Sequence, residues 1–329
     1  MHAAQVMTHV TLPDEREHKL PFYLAMEEYI AREFPAQSYF FMWQVQPTVI
    51  FGRNQLIDTE VDVAYCRSHG IDFYRRKSGG GCVYADKSNI MLSYITPSTN
   101  VNFTFNSYML MVEHALQKLG IDARTTGRND ILIDGKKVSG NAFYHIPGRS
   151  IVHGTMLYDT NLEHMAKAIT PSSTKLKSKG VESVRQHVTT LNRYISIGIE
   201  EFKKHLASTL CGAELSLSED DILAIEEMEK EYYSRDFIYG NNPRYSLTKS
   251  MRFDGVGEIH ASVEIKKGII HKLALSGDFM PLGNVGELLA LLEGVSYSPE
   301  AVDKALSPVE CSSYIMNLEK EKLINLLFS

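Results

Sequence analysis

Three consecutive glycines lie within Arg75-Arg76-Lys77-Ser78-Gly79-Gly80-Gly81-Cys82-Val83-Tyr84-Ala85-Asp86. Packing alone gives no reason for them, because Gly buries no side chain and loses the most backbone freedom on folding. Such a run fits where backbone must approach a ligand closely or adopt positive φ. Ile71 to Tyr74 before it and Ile90 to Ile95 after it read as strands, so the glycines fall in a strand-to-strand loop. Arg75, Arg76 and Lys77 at the mouth of that loop set positive charge beside backbone N–H groups, a combination suited to a phosphate or carboxylate. Taken alone, the stretch also reads as a tight hairpin with a solvated basic flank.

A chain of 329 residues is long for one core, so a large domain plus a smaller one is expected. A formal net charge of −6 argues against bulk binding to nucleic acid. No apolar run approaches the roughly 18 residues of a membrane span, and the chain opens with His9, Asp14, Glu15 and Arg16 rather than an apolar signal core. Cys66, Cys82, Cys211 and Cys311 are scattered without a CxxC pair, which points to reduced thiols in a cytoplasmic protein. The glycines do not extend to GxGxxG, and Gly135-Lys136 lacks the rest of a Walker motif. HExxH and GxSxG are also missing, which disfavours a dinucleotide fold, a tightly held metal and a hydrolase elbow.

Pro21 to Phe34 has helical spacing with Pro in the first turn, and Ser38 to Val45 and Thr48 to Phe51 read as strands. Gly52-Arg53-Asn54-Gln55 is a polar turn, Thr59 to His69 a short helix closed by Gly70, and Asn102 to Leu119 a long amphipathic helix ended by Gly120. Ile131 to Ile133, the turn Asp134-Gly135 and the strand from Lys137 onward form a hairpin. Its pairing brings Asn129 and Asp130 towards the partner strand beyond Lys137, so an amide, a carboxylate and an ammonium converge. An exposed ion pair on an edge hairpin is the plainer alternative. Ser150 to Tyr158 is a strand carrying His153-Gly154-Thr155, and a lone His there is more often structural than catalytic.

Pro171 to His187 is rich in Pro, Ser, Lys and Gly and reads as a mobile basic loop. Helices are expected at Asn161 to Ile169, Ile199 to Leu210 and Ser218 to Tyr233. Turn formers at Gly240-Asn241-Asn242-Pro243 mark a boundary. Beyond it, Tyr245 to Arg252, Glu258 to Lys266 and Ile269 to Ser276 form a strand meander, and Val285 to Leu292 and Leu318 to Phe328 are helical. The expected division is a catalytic domain over residues 1–242 and an accessory α+β domain over 243–329.

Several of these motifs together, in order, resemble the lipoate–protein ligase A family. They are Phe22-Tyr23-Leu24-Ala25-Met26-Glu27-Glu28, Gly52-Arg53-Asn54-Gln55, Arg75-Arg76-x-Ser78-Gly79-Gly80-Gly81, and Asp86 with Asn89. Gly127-Arg128-Asn129-Asp130, Lys137-Val138-Ser139-Gly140-Asn141-Ala142, His153-Gly154-Thr155 and Lys179-Gly180-Val181-Glu182-Ser183-Val184-Arg185 complete the set. The last looks like the family's adenylate-covering loop. The resemblance spans nearly the whole chain and implies an α+β fold. Its core would be a mixed or antiparallel sheet flanked by helices, as in biotin and lipoate ligases, followed by the smaller C-terminal domain.

The resemblance further implies a soluble, ATP- and Mg²⁺-dependent enzyme. It would activate lipoate as lipoyl-AMP, release pyrophosphate, and pass the lipoyl group to a lysine of an acceptor protein. The acceptors would be lipoyl domains of 2-oxoacid dehydrogenase E2 subunits or the glycine-cleavage H protein, with neither nucleic acid nor membrane as a partner. Lys137 is the implied catalytic residue. Arg76, Ser78, Gly79, Gly80, Gly81, Cys82, Val83, Tyr84, Asn89, Asn129 and Asp130 would join it around the nucleotide, with Asp130 contacting Mg²⁺. The implied acyl pocket comprises Leu24, Met26, Glu27, Trp43, Ala142, His153 and Thr155, with Arg76 and Lys137 at its polar end. Two positions depart from the family pattern, which often has Ala at Cys82 and His at Ala85. The competing expectation within the family is an ATP-independent octanoyl or lipoyl transferase, which would use a thiol nucleophile.

Overall fold

The computed structural model describes residues 7–55, 57–98, 100–126, 129–169, 187–239, 247–266 and 268–328. By contact, the described residues divide into two compact units. The first lies within Met1–Phe51, Ile57–Arg76 and Cys82–Ile238, and the second within Gly52–Leu56, Lys77–Gly81 and Tyr239–Ser329.

The first unit contains an eight-stranded sheet. Its strands are β1 (Thr8–Thr11), β2 (Tyr39–Trp43), β6 (Asn89–Thr96), β7 (Ala123–Thr125), β8 (Asp130–Ile133), β9 (Lys136–Ile146), β10 (Arg149–Leu157) and β11 (Ala213–Ser216). Their spatial order is β11-β1-β2-β6-β10-β9-β8-β7, with β1 parallel to both neighbours and the other pairings antiparallel. A smaller sheet joins β3 (Thr48–Phe51) to β4 (Asp72–Arg75) and β5 (Val83–Ala85). The unit's helices are α1 (Leu20–Glu33), α2 (Ile57–Glu60), α3 (Val63–Ser68), α4 (Val101–Gln117), α5 (Leu162–Ala168), α6 (Ile199–Leu210), α7 (Glu219–Tyr233) and α8 (Arg235–Tyr239). Helix α1 packs on α7, β6 and β10, while α4 packs on α6, β7 and β10. The mixed sheet flanked by helices is therefore as expected.

Local chemistry explains the boundaries. Ser218 and Asp221 form a reciprocal capping box that starts α7. Asp134 (φ 51°) and Gly135 (φ 72°) supply the two left-handed positions of the β8–β9 turn. The single helix expected from Thr59 to His69 is instead two. Val61 pairs with Ile169, and the Asp62 carboxylate accepts from Tyr65 N at 2.8 Å to start a new helix.

In the second unit β12 (Leu247–Phe253), β13 (Gly257–Lys266) and β14 (Ile269–Gly277) form the expected antiparallel meander. Helices α9 (Val285–Ala290), α10 (Pro299–Leu306) and α11 (Lys320–Phe328) add to it. A separate core of residues such as Ile259, Val263, Leu288, Leu306, Leu323 and Leu326 holds it together. The loop expected at 171 to 187, His187 apart, and the boundary at Gly240 to Pro243 lie outside the described residues.

Candidate functional site

The β8–β9 hairpin brings together the groups the sequence suggested. A register shift at Ile131/Leu132 sets Lys137 opposite Leu132 and Gly140 opposite Asp130. Lys137 Nζ then stands 2.8 Å from Asp130 Oδ1, with both side chains about one-third exposed (33% and 30%). That oxygen makes no aligned hydrogen bond, so the contact is an ion pair rather than a fixed hydrogen bond. The Lys137 side chain lies across Gly140. A Cβ there would meet Lys137 Cε at 2.6 Å and Nζ at 2.7 Å. Gly140 N in turn donates to Thr155 Oγ1 on β10 at 3.3 Å. Asn129 closes the end of the hairpin, with its side-chain amide donating to Asn141 O at 3.1 Å and its carbonyl accepting from Asn141 N at 2.9 Å. Sequence reasoning missed Gly140, although a glycine inside a strand already signals a close approach.

A second constellation is buried between α1 and the sheet. Glu27 accepts from His153 Nδ1 at 2.8 Å and from Ser93 Oγ at 2.6 Å, and Trp43 Nε1 donates to Ser93 Oγ at 2.9 Å. Glu27, Trp43, His153, Ala142, Thr155 and Leu24 are all buried, and Ala142 faces His153 across β9 and β10. Tyr23 stacks on Trp43 with ring centroids 4.8 Å apart. Met26 borders a cavity of about 720 Å³ between β1, β2 and α6, lined also by Tyr23, Phe41 and Lys203. Ser93 was not foreseen, yet its hydroxyl interrupts the apolar run Ile90 to Ile95, which is the signal that could have found it.

The paired arginines have different fates. Arg75 donates to the carbonyls of Phe237 and Ile238 and lies over the Phe51 ring, 4.7 Å from its centroid, which is a structural role. Arg76 is buried, donates to Ile50 O at 3.1 Å, and burial lowers its guanidinium to about 10. It therefore stays charged at neutral pH while largely stripped of water, the condition in which a cation attracts an anion most strongly. Val83 and Tyr84 lie on β5. Asn89 is buried, donating to Tyr84 O at 3.1 Å and accepting from the Thr160 hydroxyl, so its amide holds the turn after β5. Cys82 is partly exposed as a residue, yet its sulfur's surroundings push the thiol well above its ordinary value, chiefly through desolvation.

Ser78, Gly79, Gly80 and Gly81 belong to the second unit. Gly80, at φ 83°, donates its N–H to Phe279 O at 3.1 Å, and Ser78 O accepts from Arg53 N at 2.8 Å. That amide is thus used within the fold, in addition to whatever the loop presents to a ligand. A Cβ on Gly79 would overlap Pro281 Cδ and stand 2.7 Å from Phe279 O. Gly79→Ala must push backbone aside and is expected to lower stability by about 1–3 kcal/mol in denaturant unfolding.

Residues 20–211 match the lipoyl protein ligase A/B catalytic domain, and 242–327 match the bacterial lipoate protein ligase C-terminus. Lipoate-protein ligase LplJ of Bacillus subtilis is 35% identical over 317 residues, covering 93% of this chain and 96% of the relative. Plasmodium falciparum LipL1, solved in complex with lipoate, superposes with a TM-score of 0.79 at 18% identity, covering 97% of both chains. A lipoate-protein ligase A solved with bound ATP superposes with a TM-score of 0.62 at 24% identity, over 71% of this chain and 99% of the other. The shared architecture and this similarity along nearly the full length place the chain in the lipoate–protein ligase family.

Proposed function

We propose that the chain is an ATP-dependent lipoate–protein ligase working through the residues described above. The observation that carries this reading is similarity over 93% of the chain to a relative named as a lipoate-protein ligase. Structures of fold relatives with lipoate and with ATP support both substrates. In the first step a lipoate carboxylate oxygen bonds to the α-phosphorus of ATP. The α–β phosphoanhydride bond breaks, and pyrophosphate leaves with its electron pair. In the second step the ε-amine of an acceptor lysine attacks the lipoyl carbonyl, the acyl–oxygen bond to AMP breaks, and the amine loses a proton.

Both reactants of the first step are anions, so the site must hold like charges together. Lys137 supplies an ammonium on a side chain one-third exposed, whose ion pair with Asp130 would give way to a substrate oxygen. Placed between the acyl oxygen and the α-phosphate, it stabilises the charge developing in both steps. Arg76 supplies a second, desolvated cation. Within the same unit Val83 and Tyr84 on β5 are the nucleotide-facing segment of this reading, while Asn89 steadies the adjoining turn.

Mg²⁺ would neutralise the triphosphate, with Asp130 as its protein contact. Among the described residues no group of three or more His, Cys, Asp or Glu gathers to hold a metal, which fits an ion carried mainly on phosphates. The reading includes acceptor lipoyl domains or H protein as partners, a cytoplasmic location, and a catalytic region over 1–242 with an accessory one over 243–329. No helix among the described residues is long and apolar enough to cross a membrane.

The test is pyrophosphate release by the full chain, which should require lipoate and ATP together, followed by a lipoyl mass increase on an acceptor domain. Pyrophosphate release without lipoate contradicts the reading. A transferase mechanism would need a thiolate, whereas the surroundings of Cys82 disfavour one. Cys82→Ser is accordingly expected to keep both steps near wild-type rates. An ATP-independent acyl transfer that the substitution abolishes would reverse this choice.

A further inference from the structure

Strands β1 and β2 run side by side only briefly. Their parallel pairing covers Thr8↔Tyr39 and His9↔Phe40 and then stops, while β1 continues beside β11 to Thr11 and β2 beside β6 to Trp43. The sheet therefore opens between the two strands, and the cavity of about 720 Å³ bordered by Met26 lies at that opening. Val10, Met26 and Phe41 reach it from the buried core, and Lys203 and Ala207, one turn apart, reach it from α6. A second cavity, of about 380 Å³, shares Tyr23, Met42 and Lys203 with the first, so the two adjoin. Their chemistry differs. The larger carries acids and bases in nearly equal number over a mostly apolar lining. The smaller sets Arg16, Lys87 and Lys203 against the one carboxylate of Glu17, and His18 Nε2, buried and without a hydrogen-bond partner, belongs to its lining residue His18.

We propose that the adjoining cavities bind a long-chain carboxylate, its alkyl tail in the larger and its head in the smaller, beside Lys203. An apolar compartment joined to a cationic one matches an amphipathic anion, whereas a small hydrophilic anion would leave the apolar part unused. The head is a carboxylate because the cations already take carboxylates. Arg16 is paired with Asp14, Lys87 with Glu17 and Lys203 with Glu200. Such solvent-exposed pairs are weak, so a ligand carboxylate exchanges like for like. Glu27, Ser93 and His153 line neither cavity, so the site is distinct from the buried constellation they form. The inference does not depend on the ligase reading.

The experiment is titration calorimetry of the full chain, saturated with lipoate, with dodecanoate kept below its micelle concentration. One equivalent should bind. Decanoate and octanoate should bind more weakly, by up to about fourfold for each methylene removed. Dodecyltrimethylammonium, with the same tail and the opposite head, should bind at least tenfold more weakly. Lys203→Ala should weaken dodecanoate about tenfold, and Ala207→Phe, which fills the tail compartment, at least as much. Lipoate-dependent pyrophosphate release should stay at the wild-type rate in both variants. Lys203→Ala shortens a partly exposed side chain and keeps the readout where Ala207→Phe fails to fold. No binding, equal binding of the cationic amphiphile, or binding that either folded variant leaves unchanged overturns the proposal. Displacement of dodecanoate by added lipoate also overturns it, by placing the acid in the acyl pocket. Each of these results leaves the ligase reading intact, since that reading is decided by pyrophosphate release.

Discussion

Lys137→Ala is expected to cut lipoate-dependent pyrophosphate release roughly 10²–10³-fold, the usual effect of losing one charge-stabilising contact at about 3–4 kcal/mol. The fold should scarcely register the change. The Lys137–Asp130 pair is about one-third exposed on each side, and such partly solvated pairs contribute roughly 0–1 kcal/mol to stability. Thermal unfolding within a few degrees of wild type should therefore accompany the collapse in rate. A variant that releases pyrophosphate at the wild-type rate removes Lys137 from the chemistry. One that unfolds instead assigns it to the scaffold.

Gly140→Ala should reproduce much of that loss without touching the ammonium itself. The added methyl would stand 2.6 Å from Lys137 Cε and 2.7 Å from Nζ, distances that force the end of the side chain to move. Because the obstructing atoms are the far end of a flexible chain, the strand can survive while the ammonium is displaced. Misplacing a catalytic group by about 1 Å can cost roughly 10²-fold. The expected result is a rate loss of that order, a near-native melting curve, and no further loss when Lys137→Ala is added. Additive losses in the double variant would show that Gly140 acts by some other route, since groups that work as a unit are non-additive.

Much of the fold was legible because the informative residues act locally. Asp134-Gly135 dictates its turn, the Ser218–Asp221 box dictates a helix start, and the apolar periodicity of α4 needs no partner to be read. Strands β1, β7 and β11 were missed for the opposite reason. They are three or four residues long, and β1 and β11 owe their conformation to ladder partners distant in sequence, while β7 is a three-residue strand paired with the nearby β8. Helix α10 was also missed, although Ser298 caps it and Pro299 opens it, because eight residues give little periodicity.

The site divides in the same way. The hairpin could be paired by counting from its turn, which brings the Asn129–Asp130 end towards the partner strand beyond Lys137. The partnership of Glu27 with Ser93 and His153 spans sequence separations of 66 and 126 residues, and no local pattern reports such a contact. Arg75 and Arg76 look alike in sequence, yet alternation along β4 and the start of the loop send one to the carbonyls of Phe237 and Ile238 and leave the other buried near Ile50 O.

Mass spectrometry of the wild-type protein, incubated with lipoate and ATP without any acceptor, decides whether the chain forms an adenylate. Lipoyl-AMP should be held non-covalently by the chain, with pyrophosphate released in matching amount. A covalent acyl-enzyme formed from an acyl-carrier substrate without ATP, and no adenylate when ATP is supplied, would contradict the ligase reading.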